Sequence, residues 1–304
     1  MVVCATPARD KLPHGLCSTG MRIEFLKMQG LGNDFLVFDA PAAAADTHLD
    51  SSRLRALADR HTGIGFDQAL MLETPRDPGS RVFYRIFNSD GTEVEQCGNG
   101  ARCIAALLYA RAPELGRDLV MDSLSGVVHA RVRDDGLVSV DMGVPNFDPR
   151  ALPMDAADGA GTAVEASVYS LKVDGADIEI GAVSMGNPHA VLQVPDVKTA
   201  PVERFGPSIE HHPRFPKRTN VGFMQIVDRG HVRLRVFERG AGETLACGTG
   251  ACAAVAVGRR RGLLDGEVRV DLPGGTAMVS WAAAGEHVWL TGPATTVFNG
   301  SIEI

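Results

Sequence analysis

Two cysteines share one short setting, Cys97-Gly98-Asn99-Gly100 and Cys247-Gly248-Thr249-Gly250, and an apolar run follows each. Ile104 to Leu108 and Ala251 to Val257 are apolar on nearly every side, which predicts helices over Gly98 to Ala110 and Gly248 to Val257 that other structure surrounds. A thiol at a helix N-terminus lies beside unpaired N–H groups and about half a positive charge, a setting expected to lower its pKa. The glycines let another group approach the backbone closely, so an anion can rest on the same N–H groups. Placed on opposite sides of one cleft, two such turns suit the transfer of a proton from one face of a carbon to the other. One cysteine acts as thiolate base and the other as thiol acid. A carboxylate on that carbon, held between the helix ends, would be stabilised as the C–H bond breaks.

Further polar residues lie in Gly-rich turns: Asn33, Gln68, Asn88, Asn187, His189, Asn220, Glu238 and Arg239. Arg239 could fork onto a second carboxylate, and the amides could serve an ammonium. His189 and Glu238 could adjust thiol protonation. Cys103 and Cys252 fall inside the helices and read as core fillers, whereas Cys4 and Cys17 have no evident task. Arg76, Arg214 and Arg259 to Arg261 read as solvated surface.

The elements that must position these groups are mostly strands. Short runs rich in Val, Ile, Phe and Tyr cover Arg22 to Met28, Arg81 to Phe87, Val168 to Val173, His231 to Phe237, Glu267 to Leu272 and Ala277 to Trp281. Ser51 to Arg60 reads as a surface helix capped by Asp50, Ser51 or Ser52. The chain also repeats. Arg85-Ile86-Phe87 matches Arg235-Val236-Phe237, and Glu93 matches Glu243, at the 150 positions that separate the two cysteine turns. Ile64 to Gln68 aligns with Val221 to Gln225, and Gly32 to Phe35 with Gly186 to His189. The expected fold is therefore α/β (α+β), with two pseudo-symmetric homologous domains. Each would wrap a curved, mostly antiparallel sheet around a central buried helix, leaving the active site in the cleft between them. The joint is expected between Pro145 and Gly161.

Composition narrows the function. With 304 residues, about two domains are expected. A net charge of −7 without a basic cluster argues against nucleic-acid binding. No apolar run reaches the roughly 18 residues of a membrane span. Six cysteines are too few for a secreted disulfide scaffold, which points to a reduced, cytoplasmic chain. There is no complete Gly-x-Gly-x-x-Gly, P-loop, His-Glu-x-x-His or Cys-x-x-Cys, and no lysine in a setting for pyridoxal phosphate, so no cofactor and no metal are expected.

Met28 to Phe35, Gly65 to Gln68, Asn88 to Gly91, Cys97 to Gly100, Gly186 to His189, Asn220 to Phe223, Glu238 to Gly240 and Ala246 to Gly250 together resemble diaminopimelate epimerase. The resemblance runs in order from about residue 21 to the C-terminus. It implies a pyridoxal-independent isomerase that interconverts LL- and meso-2,6-diaminopimelate in lysine and peptidoglycan precursor synthesis, commonly as a homodimer. By position it makes Cys97 and Cys247 the acid/base pair, with Gly98, Asn99, Gly248 and Thr249 holding the reacting carboxylate. Asn33, Gln68, Asn88, Asn187, Asn220, Glu238 and Arg239 would line the substrate site, with His189 near a thiol. It also implies that residues near 293–304 return to the first half, giving 21–145 plus about 293–304 as one half and 146–292 as the other. Residues 1–20 have no counterpart and read as a disordered tail or an over-long start.

Two other functions compete. A proline or hydroxyproline racemase also carries a Cys-Gly-Thr-Gly turn, but typically has His where this chain has Asn99, and its substrate offers no distal zwitterion for Glu238 and Arg239. A thiol redox or metal-binding protein could use the same cysteines.

Overall fold

A computed structural model describes residues 22–40, 50–156 and 161–303. The tail expected over residues 1–20, with Cys4 and Cys17, lies outside the described residues. The first set of elements runs β1 (Arg22–Gly30), β2 (Asn33–Asp39), α1 (Ser51–Ala58), β3 (Gln68–Glu73), β4 (Phe83–Asn88), β5 (Glu93–Val94), α2 (Gly98–Arg111), β6 (Asp118–Ser123), β7 (Gly126–Val132) and β8 (Val138–Asp141). Then comes β9 (Tyr169–Val173). The second set begins with β10 (Ala176–Ser184), β11 (Pro188–Gln193), α3 (Val202–Glu210), β12 (Asn220–Asp228) and β13 (His231–Glu238). It continues with β14 (Gly242–Thr244), α4 (Gly248–Arg260), β15 (Glu267–Leu272), β16 (Gly275–Trp281) and β17 (Val288–Gly292), and β18 (Thr295–Glu303) ends the chain.

The pairings repeat as the sequence does. The parallel pair β2–β3 is matched by β11–β12, and the parallel contact β4–β6 by β13–β15. The antiparallel neighbours correspond as well: β3–β4 with β12–β13, β6–β7 with β15–β16, and β1–β2 with β10–β11. The two sets join where β8 pairs antiparallel with β17, and β18 returns to pair with β1.

One alignment read from the sequence does not survive. His189 pairs with Asn220 as Phe35 pairs with Gln68, so the partner of Gln68 in the repeat is Asn220, not Gln225. Gly65 sits in a turn at φ 75°, whereas Gly222 lies within β12, so the shared Gly-Phe letters occupy different backbone environments.

Helix α2 packs against β1 and β2 from one end of its sheet segment and β7 and β8 from the other, so the segment curls around it. Helix α4 is held similarly by β10 to β13 and by β16 and β17. Burial of both faces of β2 follows: Phe35 and Val37 point into the core around α2, while Leu36 and Phe38 pack with Leu54 and Leu57 of α1. Asp50 caps α1 by accepting from the Arg53 N–H. Cys103 and Cys252 are fully buried in α2 and α4.

Two surface expectations need correction. Arg214 is buried, donating to the Asp155 and Ser170 carbonyls while its guanidinium lies over Tyr169. Arg259 and Arg260 are half-buried over Trp281 and Phe147, because long basic side chains cover apolar rings with their stems.

Candidate active site

The parallel arrangement sets the polar residues at one end of each curled sheet. Asn33 and Gln68 begin β2 and β3, Asn88 ends the antiparallel β4, and Cys97 caps α2 just beyond β5. In the second set Asn187 precedes β11, Asn220 begins β12, Glu238 ends β13 and Cys247 caps α4. The two ends meet. The Asn99 amide donates to the Ala246 carbonyl at 3.2 Å, and a Cβ placed on Gly248 would lie 3.9 Å from Gly98 Cα and 3.6 Å from Asn99 Oδ1. The first turns of α2 and α4 thus abut at contact distance, and Leu290 Cδ2, 2.9 Å from the same Cβ position, is what favours glycine there.

Around Cys97, the sulfur accepts from the Gly100 N–H at 3.4 Å and lies 3.8 Å from Asn33 Oδ1. Asn99 also donates to Asn33 Oδ1 at 3.3 Å. Asn33 in turn donates to Asp67, which shares Arg60 with Asp34, and Lys27 closes the network on Asp34 at 2.6 Å. Those cations, by hydrogen bond and charge, outweigh burial and hold the Asp34 carboxyl well below the usual carboxylate range. Gln68 donates to Asn88 at 3.0 Å while its own carbonyl oxygen is buried without a partner. That orphaned acceptor is available to a donor on a bound molecule.

Across the seam, the Cys247 sulfur lies 3.6 Å from Thr249 Oγ1, and the Asn187 amide faces that hydroxyl at 3.4 Å. Asn220 accepts from the Arg239 backbone N–H at 2.9 Å and donates to the Pro188 carbonyl, fixing the turn that carries the exposed Arg239. Glu238 accepts from Thr244, and its charge acts on the Cys247 thiol. Burial pushes its carboxyl above the usual range.

Both thiols behave opposite to the helix-end expectation. Burial pushes Cys97 up to about 11, against the Gly100 N–H and the Arg102 charge, with the Glu238 carboxylate raising it further. Cys247 is raised well above an ordinary thiol by burial and then by Glu238. A helix end contributes at most about 2 kcal/mol, whereas burying a charge can move a pKa by about 3–5 units, so desolvation wins. That one carboxyl acts on both sulfurs follows from the abutting turns.

His189 joins the polar residues of the second set through Asn187. Its ring pairs with Asn187 Oδ1 at 3.0 Å, and no hydrogen bond to a sulfur is formed. Burial, aided by the Arg239 charge, lowers its pKa to about 3, so the ring is neutral. Three residues outside the sequence reading reach the site: Asp67 behind Asn33, Thr244 on Glu238, and Arg102, whose Nη2 donates to Asn99 Oδ1 at 2.8 Å. Only Arg102 carried a signal, one turn inside an otherwise apolar helix. Among the described residues no cluster of His, Cys, Asp and Glu could hold a metal ion, and no helix is long and apolar enough to cross a membrane.

Comparison with known proteins identifies the family. The family model for diaminopimelate epimerase matches residues 25–147 and 181–297. The diaminopimelate epimerase of Thioalkalivibrio sulfidiphilus is 55% identical over 286 residues, covering 93% of this chain and 100% of that protein. That of Stutzerimonas stutzeri is 50% identical over 284 residues, with 93% and 100% covered. Among solved structures, a hydroxyproline epimerase from Agrobacterium vitis superposes with a TM-score of 0.65 at 17% identity, covering 93% of each chain. A PhzF-family phenazine biosynthesis protein from Bacillus anthracis gives 0.65 at 17% identity, covering 93% of this chain and 100% of that one, a likeness of fold alone. Paired cysteine turns, the repeated topology and the match across nearly the whole sequence lead to one assignment: the chain belongs to the diaminopimelate epimerase family of isomerases.

Proposed function

We propose that this protein interconverts LL- and meso-2,6-diaminopimelate without a cofactor, using Cys97 and Cys247 as the acid/base pair. The observation that carries the reading is the abutment of the two cysteine-capped helix ends, tied by Asn99 to Ala246. The reacting carboxylate rests on the free N–H groups of Gly98, Asn99, Gly248 and Thr249. One sulfur, as thiolate, takes the α-hydrogen as a proton, and the electron pair it leaves spreads into the carboxylate under those N–H donors. The other thiol then gives its proton to the opposite face. Burial raises both thiols and so favours their protonated forms, and Glu238, whose carboxyl acts on both sulfurs, takes up the proton displaced when the base forms.

Arg239 meets the distal carboxylate, and Asn33, Gln68, Asn88, Asn187 and Asn220 line the remainder. His189 acts through Asn187 rather than on sulfur. Residues 21–145 with about 293–304 form one half and 146–292 the other, a division supported by the β1–β18 pairing and by the bridge from Asn146 to Ser184. The protein works in lysine and peptidoglycan precursor synthesis, in the cytoplasm and as a homodimer. Val297 and Phe298 are large apolar residues exposed on β18, a strand that among the described residues pairs with β1, which supports association.

The test is deuterium incorporation in D₂O. Metal-free, cofactor-free protein given LL-diaminopimelate should place solvent deuterium at the α-carbon while forming the meso isomer, and Cys97→Ala and Cys247→Ala should each nearly abolish isomer formation. Meso product that keeps the substrate's α-protium in D₂O, or turnover of proline instead, refutes the reading.

A further inference from the structure

Arg102 lies on the second turn of α2, 0% exposed, among residues that are otherwise apolar. Its guanidinium occupies a slot lined by two glycines. A Cβ on Gly30 would press on Nη2 at 3.2 Å, and one on Gly292 would lie 3.2 Å from both Cζ and Nε. Nε donates to the Pro293 carbonyl at 3.3 Å and Nη2 to Asn99 Oδ1, while Nη1 is buried with no partner. Among the described residues no carboxylate pairs with the guanidinium. The ionisable groups around it are the thiols of Cys97 and Cys103 on its own helix and Cys252 on α4. A buried cation without an anionic partner is costly, by several kcal/mol, unless an anion arrives when the protein works.

The anion's place is one turn away. Asn99, gripped by Arg102 through its carbonyl oxygen, spends its amide on Asn33 and on Ala246 across the seam. The charged and titratable groups that face Cys97 are Glu238 from the end of β13, Tyr84 on β4, and Cys103 and Arg102 on α2. Of these, Arg102 alone is cationic.

We propose that Arg102 is a positioning residue of the epimerase site, a buried cation balanced when a thiolate or a substrate carboxylate occupies the paired helix ends, and the residue that aims Asn99 across their seam. This rests on the reading given under Proposed function. Its uncompensated charge favours the anionic state of the turn, and its fork keeps the two helix ends in register for a single carboxylate. Lysine supplies the charge without the fork, and methionine supplies neither.

The experiment follows iodoacetamide alkylation of Cys97 against pH in the full-length protein, read by peptide mass spectrometry, beside steady-state kinetics and thermal melting. Arg102→Met should raise the alkylation midpoint by about one pH unit, so that alkylation at a fixed pH below it slows about tenfold. Arg102→Lys should leave the midpoint within about 0.3 unit and raise KM for diaminopimelate about tenfold as the hold on Asn99 is lost. A folded Arg102→Met with an unmoved midpoint overturns the proposal. So does an Arg102→Lys midpoint that shifts, or an Arg102→Lys KM that does not, and this variant decides the matter should the methionine variant fail to fold. Alkylation needs no substrate. Wild-type protein that alkylates as described but exchanges no deuterium therefore refutes the assigned reaction, not the role of the charge.

Discussion

Adding one methyl group at Gly248 tests the seam directly. The new Cβ would stand 2.9 Å from Leu290 Cδ2, 3.6 Å from Asn99 Oδ1 and 3.9 Å from Gly98 Cα. Ordinary carbon contacts lie near 3.5–4.0 Å, so roughly 0.6–1 Å must be found by turning Leu290 or by parting the helix ends. Leu290 is 1% exposed in the shared core and has little room to turn. Overpacking of this kind costs about 1–3 kcal/mol, while replacing glycine in a helix returns up to about 1 kcal/mol. The net loss of about 0–3 kcal/mol should lower the melting temperature by only a few degrees. The reaction should suffer more, since a displacement of about 1 Å in a catalytic arrangement can cost about a hundredfold. Gly248→Ala is thus expected to fold and to lose about 10- to 100-fold in kcat/KM, measured as isomer formation or as deuterium incorporation. Leu290→Val removes the colliding Cδ2 at a cost of about 1 kcal/mol, and in the double variant it should restore most of the rate. A fully active Gly248→Ala refutes the reasoning. A double variant no faster than Gly248→Ala refutes the assignment of the collision to Leu290.

Three further outcomes follow from the site. Asp34→Asn leaves Lys27, whose side chain is 10% exposed, without its carboxylate, and should cost about 3–5 kcal/mol in denaturant unfolding; a loss below about 1 kcal/mol would show that the network behind Asn33 is ornamental. Because the folded Asp34 pKa is depressed, the stability it contributes is present above its unfolded pKa, near 4, and is lost as pH falls below that. For His189 the folded pKa of about 3 lies below the unfolded value of about 6.5, so the unfolded state alone takes up a proton and stability should fall as pH drops through 6. An NMR titration in which the His189 ring protonates between pH 5 and 8 contradicts its burial as a neutral group. Arg239→Ala should raise KM for diaminopimelate at least tenfold with the fold intact, because a charged donor to the distal carboxylate is lost, and an unchanged KM removes Arg239 from recognition.

The sequence by itself determined the paired cysteine turns, the buried helices behind them and the twofold repeat. These rest on local chemistry: glycines at a helix start, an apolar circumference, and letters repeated at one spacing. Strands β13, β15 and β16 are legible from their alternation, whereas α3, with Pro207 inside it, reads as a broken segment. Register was not legible. Gly-Phe occurs in a turn at one place and in a strand at the other, and only the pairing of His189 with Asn220 reveals which residues correspond. Nor could the sign of the thiol shifts be read from the chain. A helix end is visible in sequence, but the depth at which Cys97 and Cys247 lie, and the approach of Glu238 to both, depend on how two curled sheets close together. Arg102 shows the same division. Its place in the helix is written in the sequence, yet its burial between Gly30 and Gly292, its unpaired Nη1 and its grip on Asn99 arise from residues brought together across the whole chain.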